Sequence, residues 1–139
     1  MDPSAASHAF TEHTGEVRLE VRAKTCEALF AEAGRALAEL MLGDSKVPAG
    51  GERQAVAVEA RDRAALLVEW LNELIFLSES KKQVFPRVEV ERATETSVSG
   101  AVWGVAPELL AVPVKAATFH EVVVEEAGGE WRASVVLDV

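Results

Sequence analysis

The stretch Asp62-Arg63-Ala64-Ala65-Leu66-Leu67-Val68-Glu69-Trp70-Leu71-Asn72-Glu73-Leu74-Ile75 decides the fold. Leu66, Leu67, Trp70, Leu71, Leu74 and Ile75 fall on one helical stripe, while Glu69, Asn72 and Glu73 lie off it. Asp62 opens the run where an N-cap residue is expected, so the spacing predicts a helix with a broad core-facing side. Trp70, Leu71 and Leu74 read as core, not as a cofactor box.

The chain before this helix reads as strand, helix, strand. Val17 to Arg22 alternates Val17, Leu19 and Val21 with Arg18, Glu20 and Arg22, the period of a strand with one buried face. Thr25 then caps a first helix through Leu29, Phe30, Ala33, Leu37, Leu40 and Met41, ending near Gly43. Asp44 to Glu52 reads as a loop, and Gln54 to Ala60 as a second strand. Residues 1–9 are small and polar and predict a flexible N-terminal arm, leaving 10–139 as a single domain.

After the helix, Ser78 to Gln83 is expected to be an exposed turn. Strands follow over residues 85–92 and 97–105, then an apolar loop, Leu109-Leu110-Ala111-Val112, bracketed by Pro107 and Pro113 and expected to tuck along an edge. Thr118 to Glu125 and Glu130 to Asp138 form a hairpin turning at Gly128-Gly129. A two-residue turn sets Glu125 opposite Arg132, Val123 opposite Ser134, Glu121 opposite Val136 and Phe119 opposite Asp138. The other face then carries Val124 opposite Ala133, Val122 opposite Val135 and His120 opposite Leu137. The element order predicts an α+β, two-layer fold, two helices on one face of a mostly antiparallel sheet.

Composition narrows function more than it specifies it. Fourteen Lys and Arg against 23 Asp and Glu give a net charge of -9, which disfavours direct nucleic-acid binding and anionic membranes and favours cations or basic partners. Cys26 is the only cysteine, which fits a reducing compartment and makes cytoplasm the expected location. The N-terminus lacks the features of a signal peptide, and no apolar run approaches a membrane span. The histidines His8, His13 and His120 form no metalloprotease pattern, and no nucleophile elbow or phosphate loop is present.

Two stretches are chemically dense. Glu12-His13-Thr14-Gly15-Glu16 precedes the first strand, and Lys115-Ala116-Ala117-Thr118-Phe119-His120-Glu121 enters the hairpin. Glu16 at one end of the chain, with Asp138 and the carboxylate of Val139 at the other, would offer oxygen ligands to a hard cation such as Ca2+ or Mg2+. Spacing alone favours a plainer reading: Glu16 as a solvated strand-end charge, Asp138 as a frayed end and His120 as a core residue.

These residues resemble the archease family of small acidic proteins that accompany RtcB-type RNA ligases. Members carry a His-Thr-Ala-Asp box before the first strand, a Lys-Ala-x-Thr-aromatic-His segment and an Asp-aliphatic ending. Here these stand as His13-Thr14-Gly15-Glu16, Lys115-Ala116-Ala117-Thr118-Phe119-His120 and Asp138-Val139. The resemblance implies a non-enzymatic activator that promotes guanylylation of a ligase acting in tRNA splicing and RNA repair, the GTP and Mn2+ belonging to the ligase. It implies a metal site at Glu16, Asp138 and Val139, with His13, Thr14, Lys115, His120 and Glu121 in contact or supporting roles. Glu16 departs from the family's usual Asp by one methylene, about 1.5 Å of reach. A stress-associated holdase chaperone, binding through Leu109 to Val112, is the alternative.

Overall fold

The computed structural model describes residues 6–44 and 51–139. Its elements run β1 (Ser7–His13), β2 (Glu16–Ala23), α1 (Cys26–Leu42), β3 (Glu52–Glu59), α2 (Arg63–Lys81), β4 (Val84–Ala93), β5 (Ser97–Val105), β6 (Ala116–Ala127) and β7 (Glu130–Asp138). The fold is α+β, with two helices and antiparallel strands, as the element order predicts. The strands divide into a four-stranded sheet, β1-β2-β7-β6, and a three-stranded sheet, β3-β5-β4. The division falls at the Pro107–Pro113 segment, where the chain leaves β5 without forming a hairpin into β6.

Both helices begin where the capping residues predict. The Thr25 side chain accepts from the Ala28 N–H and the Asp62 side chain from the Ala65 N–H. α1 packs mainly on β4 and β2, and α2 on β6 and β3, so each helix touches both sheets. The predicted stripe of α2 is buried throughout, with Trp70 fully enclosed. Its indole N–H donates to the Phe30 carbonyl at 3.0 Å, tying the helices together. Gly34 permits close packing, since a Cβ there would stand 3.2 Å from both Leu74 and Val88.

Three local expectations are corrected. Ser7, His8 and Ala9 belong to β1 and not to a loose arm, because His8 and Phe10 face inward opposite Val21 and Leu19. Ser78 is a buried helical residue and not part of an exposed turn; α2 runs on to Lys81, and the Ser78 hydroxyl donates to the Gln83 carbonyl. The 109–112 segment is anchored by the Ala111 N–H to the Met41 carbonyl at 2.8 Å, but Leu109 is 81% exposed. The expected loop over Asp44 to Glu52 lies largely outside the described residues, and β3 already starts at Glu52.

The hairpin register holds near its turn and fails beyond it. Glu125 faces Arg132, Val124 faces Ala133 and Val123 faces Ser134, as the two-residue turn requires. The pairing then shifts, so that Thr118 faces Val136, Ala117 faces Leu137 and Ala116 faces Asp138. Phe119 therefore does not face Asp138, nor His120 Leu137. Among the described residues no helix is long and apolar enough to cross a membrane.

Candidate functional site

One end of the four-stranded sheet gathers the residues that the sequence marks. The β1–β2 hairpin turns at Thr14-Gly15, where Gly15 takes φ +75°, and so places His13 opposite Glu16. β7 runs antiparallel to β2 and delivers Asp138 directly opposite Glu16. β6 enters on the far side with Ala116 opposite Asp138. The row across the sheet is thus His13, Glu16, Asp138, Ala116.

Two main-chain hydrogen bonds close this end. The Val139 N–H donates to the Gly15 carbonyl at 3.1 Å, and the Lys115 N–H donates to the Asp138 carbonyl at 2.8 Å. Val17 and Leu137, one residue inward, are buried, so strand alternation turns Glu16 and Asp138 to the outer, solvent-exposed face. Side chains on directly opposed positions lie about 4.5–5.5 Å apart at Cβ, and like charges so placed repel. A cation relieves that repulsion, and two carboxylates beside main-chain oxygens suit a hard one. Among the described residues no three His, Cys, Asp or Glu side chains converge on one point, so the protein offers only part of the roughly six to eight oxygens Ca2+ takes.

The entry to β6 is fixed from behind. Asn72 donates from Nδ2 to the Ala117 carbonyl at 3.1 Å and accepts from the Ala117 N–H at 2.8 Å. Its amide acts as a strand partner for the edge strand and joins α2 to the Lys115–Thr118 segment. Lys115 also lines a cleft of about 580 Å³ with Lys82, Glu79 and Glu108 around an apolar floor that includes Ile75 and Val84.

His120 and Glu121 stand apart from the Glu16–Asp138 row. His120 is exposed, not core, and its Nε2 lies 2.8 Å from Glu121 Oε1. Glu121 reaches across β7 to Arg18 Nη2 at 3.2 Å, and Arg18 Nη1 donates to Ser134 Oγ at 3.1 Å. Val136, the ladder partner of Arg18, is buried even though it alternates with the core residues Val135 and Leu137.

Three functional side chains carry no mark in the sequence: Arg18, Asn72 and His8. Arg18 looks like an ordinary outward strand residue, and Asn72 an ordinary off-stripe helical one. His8 was passed over as well. Its Nδ1 lies 2.7 Å from Glu32 Oε2 and its Nε2 meets Glu39, while Arg35 joins Glu32 to the Val88 carbonyl. Burial lowers the His8 pKa, but the hydrogen bonds to Glu39 and Glu32 outweigh it and hold the imidazole above its ordinary value. Burial raises the Glu32 carboxyl, and His8 and Arg35 together bring it below its ordinary value.

Comparison with known proteins places the chain in a family. Residues 8–139 match the model of the Archease protein family (MTH1598/TM1083). "Protein archease" of Methanosarcina mazei is 29% identical, covering 100% of both chains. "Protein archease" of Archaeoglobus fulgidus is 32% identical, over 95% of this chain and 98% of that protein. The solution structure of Methanobacterium thermoautotrophicum protein 1598 is similar with a TM-score of 0.73 and 26% identity, covering 98% of this chain and 99% of that one. The crystal structure of a Thermotoga maritima archease, described as a possible chaperone, matches with a TM-score of 0.66 and 21% identity over 93% of this chain and 94% of that one, a likeness of fold.

Proposed function

The chain belongs to the archease family, and from that premise we propose that it is a non-enzymatic activator of an RtcB-type RNA ligase in tRNA splicing and RNA repair. In this reading it promotes guanylylation of the ligase from GTP, with Mn2+ held by the ligase, and so allows repeated turnover in the cytoplasm. The observation that carries the reading is the direct pairing of Glu16 with Asp138, with Val139 bound back onto the Gly15 carbonyl. Residues from both ends of the chain thereby form one exposed acidic edge. Glu16, Asp138 and an oxygen of Val139 would hold a divalent cation, Ca2+ or Mg2+, and the open remainder of its shell would face the partner. His13 and Thr14 shape the turn that presents Glu16, and Lys115 fixes Asp138 through its backbone N–H. The protein's net charge of -9 supports contact with a basic protein partner and no direct contact with RNA or an anionic membrane. The test is the rate of ligase guanylylation with wild-type, Glu16→Ala and Asp138→Ala proteins.

A second reading, a holdase chaperone, is favoured by one observation: Leu109 and Leu110 are 81% and 41% exposed. It predicts suppression of aggregation of unrelated unfolded chains, lost in Leu109→Ser and indifferent to Glu16 and Asp138.

A further inference from the structure

Little holds β1 to the rest of the molecule. It is an edge strand paired with β2 alone, and of its residues only His8 and Phe10 are partly shielded from solvent. An edge strand with so few buried contacts is the kind of element that opens locally while the core stays closed. What ties down His8 therefore bears on whether β1 stays in the sheet.

His8 is bound on both sides of its ring. Nδ1 lies 2.7 Å from Glu32 Oε2, and Nε2 meets the Glu39 carboxylate. An ionised carboxylate only accepts, so both ring nitrogens must donate, and only the imidazolium carries two N–H groups. The two ties exist together only in the protonated form. Neutral imidazole donates once and turns a lone pair toward the second carboxylate.

The neighbours decide which tie yields. Glu32 is 9% exposed, and its Oε1 accepts from Arg35 Nε at 3.2 Å and Nη2 at 3.0 Å, while Arg35 Nη1 donates to the Val88 carbonyl of β4. Glu32 is thus fixed in place. The Glu39 side chain is 60% exposed and can swing into water. β2 sets the apolar Val21 opposite His8, with Glu20 and Arg22 on the exposed face, and β1 itself adds the Phe10 ring, edge-on at 5.3 Å between centroids. With His8 protonated, two cations balance two carboxylates in this cluster; without the proton, Arg35 is the one cation left against two.

We propose that β1 is a protonation-held strap: the His8 imidazolium, clamped between Glu32 and Glu39, keeps the strand on the sheet, and loss of its proton lets residues 7–13 leave while the core stays intact. Release turns β2, which carries Glu16, into the edge of the four-stranded sheet and takes His13 from its place opposite Glu16. Burial lowers the His8 pKa, but the bonds to Glu39 and Glu32 leave it above the ordinary 6.5, so the strap is closed below that value and opens as pH rises through the folded pKa. Burial raises Glu32, but its bonds to His8 and Arg35 bring it below the ordinary 4.5, so the other side of the clamp fails only as pH falls through that lowered value. The strap is closed in the window between.

Native-state amide hydrogen exchange on the full chain tests this at about pH 6 and about pH 9, on either side of the opening, with each rate divided by the intrinsic rate at that pH. Protection of the β1 ladder amides is expected to fall about tenfold or more from the lower to the higher pH, the loss of one charge-assisted hydrogen bond, while the α2 amides keep theirs. Glu39→Ala, at an exposed position, should leave β1 weakly protected at both. His13→Gln, at the other histidine of β1, should keep the wild-type dependence. Protection of wild-type β1 that does not change with pH overturns the strap, and so does an equal loss in β1 and α2, which is global opening. A Glu39→Ala protein with the protection and pH dependence of the wild type overturns the clamp, and a His13→Gln protein without that dependence assigns the effect to His13 and overturns it as well.

Discussion

Glu16 and Asp138 are direct partners across the β2–β7 ladder, two carboxylates set opposite one another on the exposed face of the sheet. Mutual repulsion at that spacing works against the pairing that the backbone imposes. In cation-free buffer, Glu16→Gln or Asp138→Asn is therefore expected to raise Tm by roughly 1–3 °C. Millimolar Ca2+ should raise Tm of the wild-type protein and leave both variants unmoved. Thermal melts with and without Ca2+ check both statements.

Asn72 gives its whole amide to Ala117, donating to the carbonyl and accepting from the N–H. Asn72→Ala leaves both main-chain groups of a buried residue without their partner, so a loss of about 2–4 kcal/mol is expected. Urea unfolding measures it. Because Ala117 is next to Ala116, the partner of Asp138, amide exchange at 115–118 should also accelerate.

Gly34 lies under Leu74 and Val88, with only 3.2 Å available to an added Cβ on either side. Alanine would gain helix propensity against this crowding, but a branched side chain cannot fit without moving α2 or β4. Gly34→Val is expected to cost about 1–3 kcal/mol, read from the shift in denaturation midpoint.

His8 ties edge strand β1 to α1 through Glu32 and Glu39. Its folded-state pKa is raised from an ordinary value near 6.5, so its contribution to stability is fully present below that value and lost as pH rises through the folded pKa. Glu32 is lowered from about 4.5, so its contribution is present above that value and lost as pH falls through the folded pKa. The Tm difference between wild type and His8→Ala should accordingly be larger near pH 6 than near pH 9. A difference independent of pH over that range would contradict the linkage.

What the sequence made legible was whatever one element decides alone. The stripe of α2, the caps at Thr25 and Asp62 and the Gly128-Gly129 turn are local, and local periodicity found them. β1 was hidden because its inward residues include His8, whose partners Glu32 and Glu39 lie a helix away. The β6 bulge was hidden because Val122 and Val124 continue the alternation through it, and Arg18, the residue that enforces it, comes from β2. The division into two sheets depends on which strands β5 pairs with, a tertiary choice that turn chemistry between neighbours does not encode. At the site, Glu16 and Asp138 could be singled out from the sequence, but their direct opposition comes from the β2–β7 register.

The proposed activation of a ligase by this acidic edge is read from the rate at which a purified RtcB-type ligase is guanylylated from GTP and Mn2+ with this protein added. Wild-type protein is expected to stimulate guanylylation, and folded Glu16→Ala and Asp138→Ala proteins to lose about tenfold or more of that stimulation. Stimulation by both variants equal to that of the wild type would show that the acidic edge does not activate the ligase.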